Sequence, residues 1–341
     1  MQIKKVLFIR RDNIGDLVCT TPAIHAVRER FPDARIGVLV STYNADVIIN
    51  NPDIDEVYIY EKAKHAQDKN RLSVWWNNLK VFRKIRREQY DIAVGCGTYY
   101  SPRLARYTAL TGAKRRVGYV PRGVRKSLWY NAPVLEPEQP AHEVETVFHL
   151  LSVLGIHGPI PPMRVFPVEA EVRKTRDFLA AVGVRRDKPL IAFHISSRRQ
   201  QNRWPIEKFV ELARGILSRK EAEIMLLWSP GSEKNVLYPG DDEKAELFMR
   251  SVQPGAAAYR TSTVRGLIAA ISLSDLVVCG DGGAMHIAAA LEKRIVTIWG
   301  TSGPIRWRPW GVTHLILQDK SRRAENISVE SAFEAVQRLL I

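Results

Sequence analysis

Two strand–turn–helix segments constrain the fold of this 341-residue chain more than any other feature. The first is KKVLFIRRDNIGDLVCTTPAI, with Asp16 on its turn, and the second is CGDGGAMHIAAA, which begins at Cys279. Each has an apolar strand, a turn that contains glycine and an acid, and an apolar helix. Ligands of open α/β sheets bind beyond the carboxyl ends of strands, so both turns are candidate sites. The pair predicts two doubly wound α/β domains that face each other across a cleft.

Strand and helix signals alternate along both halves of the chain, which is typical of βαβ units and a parallel sheet. Apolar runs predict strands at 5–10, 36–40, 57–60, 92–94, 117–120, 190–196, 224–228, 276–279 and 295–299. The segment 142–155 (HEVETVFHLLSVLG) predicts one helix that ends at its glycine.

Proline-rich segments predict the domain boundary. The segment 121–140 holds four prolines and predicts irregular structure, and GPIPP at 158–162 is the best linker candidate. We therefore expect domains at 1–160 and 161–341. The tail SVESAFEAVQRLL predicts an amphipathic helix that can pack back on the first domain.

The charge of the chain indicates an anionic partner. Its 51 Lys and Arg against 36 Asp and Glu give a net charge of +15. Nucleic acid, an anionic membrane surface and a phosphorylated substrate all fit this excess. Zinc-finger spacing, an RNP-type strand and basic heptads are all missing, which disfavours nucleic acid.

The sequence favours a cytoplasmic protein without a spanning helix. No stretch approaches the roughly 18 apolar residues that a spanning helix needs, and MQIKKVLFIRR has too short an apolar run for a signal peptide. Three widely spaced cysteines, Cys19, Cys96 and Cys279, form neither a metal pattern nor a disulfide framework.

Asp16 has two interpretations that the sequence leaves open. A carboxylate at a helix start satisfies free N–H groups and complements the helix dipole. Alternatively, Asp16 projects into the interdomain cleft as a general base.

The turn Asp281-Gly282-Gly283 is suited to an anion. Glycines let a ligand approach the backbone, and free N–H groups at the following helix start attract negative charge, so a diphosphate there needs no metal. An ordinary tight turn capped by Asp281 is the alternative. His286 lies within two turns of this helix start and is either packed or functional.

The segment SSRRQQNRWP places Arg198, Arg199 and Arg203 directly after a predicted strand. The planar guanidinium binds two phosphate oxygens, so we expect this segment to line the cleft, although a solvated loop would also explain it. Thr301 follows another strand, in WGTSGPIRWRPWG, whose alternating Arg and Trp could stack on a nucleobase or cover the core.

Basic residues in the first half could dock an anionic acceptor or form solvated patches. They are Lys114, Arg115, Arg116, Arg122, Arg125 and Lys126. Common enzyme motifs are missing from the sequence: GxGxxG after the first strand, GxxxxGK[ST], GxSxG and HExxH. A standard dehydrogenase, P-loop NTPase, α/β-hydrolase or zincin is therefore disfavoured.

The chain resembles glycosyltransferase family 9, the ADP-heptose:lipopolysaccharide heptosyltransferase family. The matching elements are IRRDNIGDLVCTTPAI, YDIAVGCG, TGAKRRVGY, HEVETVFHLLSVLG, NRWP, CGDGGAMHIAAAL and IWGTSGP. They occur in the family's order and cover nearly the whole chain.

The resemblance implies a GT-B architecture of two Rossmann-like domains, an acceptor-binding one followed by a nucleotide-sugar-binding one. It also implies inverting transfer without metal or cofactor. The family's catalytic aspartate falls on Asp16, and its donor-binding Asp-x-Gly-x-x-His falls on Asp281, Gly283 and His286.

The chain departs from the family pattern at three places. Asn202 stands where a lysine often precedes the Trp-Pro, and Gly282 stands where Thr or Ser is common. Val94-Gly95-Cys96-Gly97 replaces an Asp-Leu-Gln-Gly pattern. Glu233 lies near the family's ribose-contacting acid.

These observations predict an inverting glycosyltransferase that moves a sugar, with ADP-heptose the favoured donor, to a lipopolysaccharide inner-core or related glycan. Asn202, Arg203 and Thr301 join the donor-binding set, and Arg115, Arg116 and Arg122 form the acceptor-binding set. The anionic glycolipid acceptor implies peripheral contact with the cytoplasmic face of the inner membrane. A non-enzymatic sugar-nucleotide binder and a nucleotide-sugar epimerase remain alternatives.

Overall fold

The computed structural model divides the chain into an N-terminal unit, Met1–Arg164, and a C-terminal unit, Val165–Ile341. It describes residues 3–61, 70–124, 127–184, 187–235, 239–252 and 255–340, so Arg125 and Lys126 lie outside the described residues. Along the sequence, the boundary between the units falls just beyond the GPIPP segment. In the described part of the chain, no helix is long and apolar enough to cross a membrane.

The N-terminal unit contains a parallel sheet of six strands within its described residues, in the order β3-β2-β1-β4-β5-β6. Its strands are β1 (Lys5–Ile9), β2 (Arg35–Ser41), β3 (Glu56–Tyr60), β4 (Ile92–Gly95), β5 (Arg115–Val120) and β6 (Ala132–Leu135). Its helices are α1 (Ile14–Val18), α2 (Thr21–Arg30), α3 (Arg71–Glu88), α4 (Pro102–Leu110) and α5 (Glu143–His149). Short 3-10 helices follow β2, at Ala45–Ile48, and α5, at Leu150–Leu154.

The C-terminal unit repeats this architecture, with the sheet order β12-β11-β10-β7-β8-β9 among its described residues. Its strands are β7 (Leu190–His194), β8 (Glu223–Trp228), β9 (Ala256–Arg260), β10 (Leu276–Gly280), β11 (Arg294–Trp299) and β12 (His314–Gln318). Its helices are α6 (Glu169–Ala181), α7 (Ile206–Ser218), α8 (Asp242–Val252), α9 (Val264–Leu273), α10 (Gly283–Ala290), α11 (Pro304–Trp307) and α12 (Val329–Leu340).

Both sheets have the same strand order when each is numbered from its own first strand, namely 3-2-1-4-5-6. This is the Rossmann order, in which the chain reverses direction across the sheet between the first and the fourth strands. The prediction of two Rossmann-like doubly wound domains is confirmed. The reversal points lie between β1 and β4, where Ile9 pairs with Gly95, and between β7 and β10, where His194 pairs with Cys279.

The sequence pattern missed several elements. It predicted no strand at β6, β9 or β12 and no helix at α6, and it predicted one helix where α5 gives way to a 3-10 turn. The apolar stripe of α6 is thin, since its buried residues are Val172, Thr175 and Leu179. Helix α12 packs against α7 and β11 of its own unit through Val336 and Leu339.

A close contact inside the N-terminal unit restricts Gly37 on β2. The Tyr90 hydroxyl lies over this glycine and hydrogen-bonds the Tyr58 hydroxyl at 3.1 Å. A methyl group at position 37 would overlap the Tyr90 hydroxyl oxygen. Gly37 is therefore required for its small size and not for its backbone conformation, because any residue can adopt the conformation of a parallel strand.

We expect Gly37→Ala to lower the free energy of unfolding by about 1–3 kcal/mol, the usual cost of overpacking a core. Urea unfolding followed by circular dichroism measures this. In a Tyr90→Phe background the same substitution should cost less, because the overlapping oxygen is gone. An equal cost in both backgrounds would contradict the steric explanation.

Candidate active site

Arg10 is the centre of a buried charge cluster at the reversal point of the N-terminal sheet. It follows β1 directly, and its side chain is 1% exposed. Its Nη2 donates to Oδ1 of Asp16 at 2.8 Å and to Oε1 of Glu143 at 2.5 Å. Its Nη1 donates to the carbonyl oxygen of Cys96, just beyond β4, at 2.6 Å. One guanidinium thus joins the ends of β1 and β4 to α1 and α5.

Asp16 has a structural role in the turn as well as a position at the sheet edge. Its Oδ2 accepts hydrogen bonds from the backbone N–H and the side-chain amide of Asn13, both at 2.8 Å. Asn13 is the N-cap of α1, so Asp16 satisfies a donor at the helix start. The cap-type role is confirmed, and the general-base role stays a prediction. Asp16 is 8% exposed.

The surroundings of Asp16 keep its carboxylate ionised. Burial alone would raise the pKa of Asp16, but the Arg10 charge and the hydrogen bonds from Asn13 and Arg10 outweigh it. The pKa therefore lies below its ordinary value. Burial has the opposite effect on Arg10 and lowers the pKa of its guanidinium, but the charges of Glu143 and Asp16 outweigh it and raise that pKa above its usual range.

Glu143 is the second carboxylate that accepts a hydrogen bond from Nη2 of Arg10. It is fully buried at the start of α5, and the Thr98 hydroxyl lies 3.0 Å and 2.7 Å from its two carboxylate oxygens. His142 caps this helix by accepting the N–H of Val144 through Nδ1 at 3.1 Å. The cap fixes where α5 begins, and hence where the Glu143 carboxylate lies.

The loops after β7, β10 and β11 form the second candidate region, at the reversal point of the C-terminal sheet. Helix α10 begins at Gly283, and Gly282 before it is exposed, with open space where a side chain would be. Burial raises the pKa of Asp281, opposed by a hydrogen bond with Ser302 and by the charge of Arg199. The free N–H groups of the first turn of α10 favour an anion here.

His286 is packed rather than exposed. It is 3% exposed, and its ring meets the Trp307 ring edge-on, with 5.9 Å between the centroids. The Arg306 guanidinium lies 4.5 Å from the centroid of the same indole. His286, Trp307 and Arg306 therefore form one group of ring and cation contacts at α10.

Asn202 joins two of these loops. It is 3% exposed, its Oδ1 accepts the N–H of Thr301 at 3.1 Å, and its Nδ2 donates to the Ser302 hydroxyl at 3.1 Å. A side chain at Gly300 would overlap the carbonyl oxygen of Gln201. The loop after β7 is thereby fixed to the loop after β11, a contact that the sequence did not predict.

The three arginines of the loop after β7 differ in their surroundings. Arg203 donates to the Ser197 carbonyl at 2.7 Å and to Glu233 at 2.5 Å, and Lys244 also binds Glu233 at 2.8 Å. Arg198 and Arg199 are exposed, and in the described part of the chain their side chains donate no hydrogen bond. The exposed pair is available to a ligand, whereas Arg203 and Glu233 bind each other.

The structure separates the three arginines that were predicted to bind the acceptor. Arg115 and Arg116 begin β5, at the amino edge of the sheet, and donate to the carbonyl oxygens of Val153 and Trp129 at 3.1 Å and 2.8 Å. Arg122 follows the carboxyl end of β5 and pairs with Glu138 at 2.6 Å. It lines a cavity of about 540 Å³ together with Tyr119, Glu145 and His149.

Sequence reasoning missed Arg10, Glu143 and Thr98. Arg10 and Glu143 lie within segments that matched the family, IRRDNIGD and HEVETVF. The match drew attention to these segments, but it assigned no function to either residue. Their pairing spans 133 positions of the chain and appears only in the fold.

The matching family model and the named relatives indicate the same family. Residues 78–336 match a family described as glycosyltransferase family 9 (heptosyltransferase). The chain belongs to glycosyltransferase family 9. It is 24% identical over 303 residues to lipopolysaccharide heptosyltransferase 3 of Escherichia coli, an alignment that covers 87% of this chain and 83% of that protein.

The similarity to family 9 glycosyltransferases also extends to solved structures, which share the fold of this chain. A glycosyltransferase family 9 protein from Veillonella parvula matches with a TM-score of 0.83 at 19% identity, covering 100% of this chain and 98% of that one. An E. coli heptosyltransferase with ADP matches with a TM-score of 0.79 at 17% identity, over 98% and 99% of the two chains. The predicted GT-B class of fold is confirmed.

We expect Arg10→Met to lower the free energy of unfolding by about 3–5 kcal/mol, because it leaves Asp16 and Glu143 buried without a counter-charge. Urea unfolding followed by circular dichroism measures the loss. Arg11→Met, in the same loop but only partly buried, should cost far less. If Arg10→Met unfolds no more easily than Arg11→Met, the buried cluster does not stabilise this unit.

Proposed function

We propose that this chain is an inverting, metal-independent heptosyltransferase that moves heptose from ADP-heptose to a lipopolysaccharide inner-core or related glycan. The names of its relatives support the substrate class, and its membership of family 9 supports the reaction. The observation that carries the mechanism is Asp16, a carboxylate kept ionised at the reversal point of the N-terminal sheet.

Asp16 acts as the general base in this proposal. An acceptor hydroxyl attacks the anomeric carbon from the face opposite the leaving group and gives its proton to Asp16. The new carbon–oxygen bond forms as the bond to the diphosphate oxygen breaks, and the nucleoside diphosphate leaves with that electron pair. Oδ1 accepts one hydrogen bond, from Arg10, and so retains a lone pair for this proton.

Positive groups of the C-terminal unit stabilise the leaving diphosphate. Arg198 and Arg199 are exposed and donate no hydrogen bond within the described residues, and the N–H groups at the start of α10 would face the developing negative charge. This arrangement supplies the charge that a metal ion would otherwise supply. Asp281, Gly282, Gly283, His286 and Thr301 complete the proposed donor site, with Asn202, Arg203 and Glu233 holding its loops.

The acceptor site is proposed around Arg122. This residue lies at the same sheet edge as Asp16, whereas Arg115 and Arg116 lie at the other edge. The cavity beside it offers the rings of Tyr119 and His149 for a sugar face, and an anionic substituent would bind Arg122 by displacing its partner Glu138. We place the enzyme at the cytoplasmic face of the inner membrane, where such an acceptor is anchored.

Asp16→Asn keeps the size of the side chain and, under conditions where it is folded by circular dichroism, should lose transfer by roughly 10²–10⁴-fold, the usual contribution of a general base. An assay of heptose incorporation into lipopolysaccharide-core acceptor measures this, with Asp12→Asn as the control of equal charge. Asp12 carries its carboxylate 3.9 Å from Arg10 and is more exposed, so its loss should be far smaller. Transfer at the wild-type rate by Asp16→Asn would show that Asp16 is not the general base.

The pH dependence of kcat/KM follows from the lowered pKa of Asp16. A base with a depressed pKa is ionised above that pKa and loses activity only as the pH falls through it. We therefore expect no acid limb from Asp16 between about pH 5 and neutrality, since an unperturbed Asp already titrates below that range. An acid limb in that range that shifts in Asp16→Glu would show that Asp16 titrates there, and would contradict its lowered pKa.

Donor binding tests the substrate. Isothermal titration should show tighter binding of ADP-heptose than of GDP or UDP sugars, and Arg198→Ala with Arg199→Ala should weaken it by at least tenfold. Lys220→Ala, an exposed cation elsewhere on this unit, is the control. Preference for another nucleotide sugar would assign a different donor, and sugar isomerisation without acceptor would indicate an epimerase.

A further inference from the structure

The first turns of α3 expose three large apolar side chains. Leu72, Trp75 and Trp76 are 65%, 56% and 51% exposed. The two indole rings meet edge-on, with 5.0 Å between their centroids. Tryptophan is usually largely buried in a soluble protein. A contiguous exposed pair therefore indicates a surface that contacts a membrane or another molecule.

These residues lie beyond the carboxyl edge of the N-terminal sheet. Asn78 of α3 exchanges two hydrogen bonds with the backbone of Glu61, the residue after β3, at 2.9 Å and 3.0 Å. Farther along the helix, Lys84 pairs with Glu56 at the start of β3 at 2.5 Å. The helix therefore runs against the strand direction, and its first turns project past the edge where Asp16 lies.

The same helix is strongly basic. Its sequence, RLSVWWNNLKVFRKIRRE, holds six Lys or Arg and one acid. Lys80 and Arg83 are exposed, follow the two tryptophans by one to two turns, and pair with no acid among the described residues. The exposed apolar tip is thus backed by two cations, Lys80 and Arg83, that pair with no acid in the part of the chain that the structure describes.

We propose that the tip of α3, formed by Leu72, Trp75, Trp76, Lys80 and Arg83, docks on an anionic lipid bilayer. Indole rings favour the headgroup boundary of a membrane, where their apolar faces are buried and their N–H groups stay hydrated. Long basic side chains reach lipid phosphates from one or two turns away. A protein partner would need an acidic complement, whereas anionic lipid supplies one over the whole surface.

This inference deepens the proposed function, since it rests on an acceptor anchored in the membrane. Docking through the α3 tip brings the edge of the sheet that bears Asp16 close to the lipid surface. Vesicle binding needs neither donor nor acceptor, so the docking surface and the transfer reaction can be tested separately.

The test is co-sedimentation with vesicles of phosphatidylethanolamine that contain a fraction of phosphatidylglycerol. We expect the wild-type protein to bind, with a blue shift of tryptophan emission, and to dissociate at high salt. Trp75→Ser with Trp76→Ser should lose binding at least tenfold, and Lys80→Gln with Arg83→Gln should weaken it. Leu128→Ser, which removes a 91% exposed apolar side chain elsewhere on this unit, is the matched control.

Equal vesicle binding by the wild-type protein and the double tryptophan variant would overturn the docking surface. Binding to purely zwitterionic vesicles with the same affinity would overturn the role of the basic residues. Transfer to a detergent-solubilised acceptor should survive in the tryptophan variant. Its loss there, in a variant that still folds, would show that the tryptophans serve the transfer reaction itself and would also contradict the assignment.

Discussion

The buried guanidinium of Arg10 is the interaction on which the N-terminal site depends. A charge removed from water is costly unless it is paired and hydrogen-bonded. Here two carboxylates and one carbonyl oxygen face it from α1, α5 and the end of β4. The planar fork can reach all three at once, which a lysine ammonium could not do in the same geometry. The helix that carries Asp16 is thereby fixed to the middle of the sheet.

The doubly wound fold could be predicted because its central strands are continuous apolar runs between helices of ordinary length. The missed strands have weaker signals. The sequence of β9 is AAAYR, poor in β-branched residues, and β6 contains Pro133. Strand β12 lies at the edge of its sheet and is only partly buried, so its identity depends on the pairing with β11.

The residues of the candidate site also separate into those that the sequence could predict and those that it could not. Asp16 and the turn at Asp281 could be found because each follows a strand within a short segment. Arg10 and Glu143 could not be paired, since nothing local indicates that residues so far apart share a hydrogen bond. Arg115 and Arg116 show the opposite problem, because a basic cluster in sequence does not reveal which edge of the sheet it occupies. Direction along a strand, rather than charge, separates them from Arg122.

The bridge made by Asn202 has a consequence for the energetics of donor binding. It fixes the backbone of the loop after β7 before any ligand arrives, and Gly300 allows the two loops to approach closely. In the proposed donor site, Arg198 and Arg199 would therefore lose mainly rotamer freedom on binding, roughly 0.5–1.5 kcal/mol for each immobilised side chain. A loop ordered only by the nucleotide would also lose backbone entropy, about 1–2 kcal/mol per residue. If the donor binds as we propose, the amide of Asn202 contributes to affinity by preorganisation, without touching the phosphate.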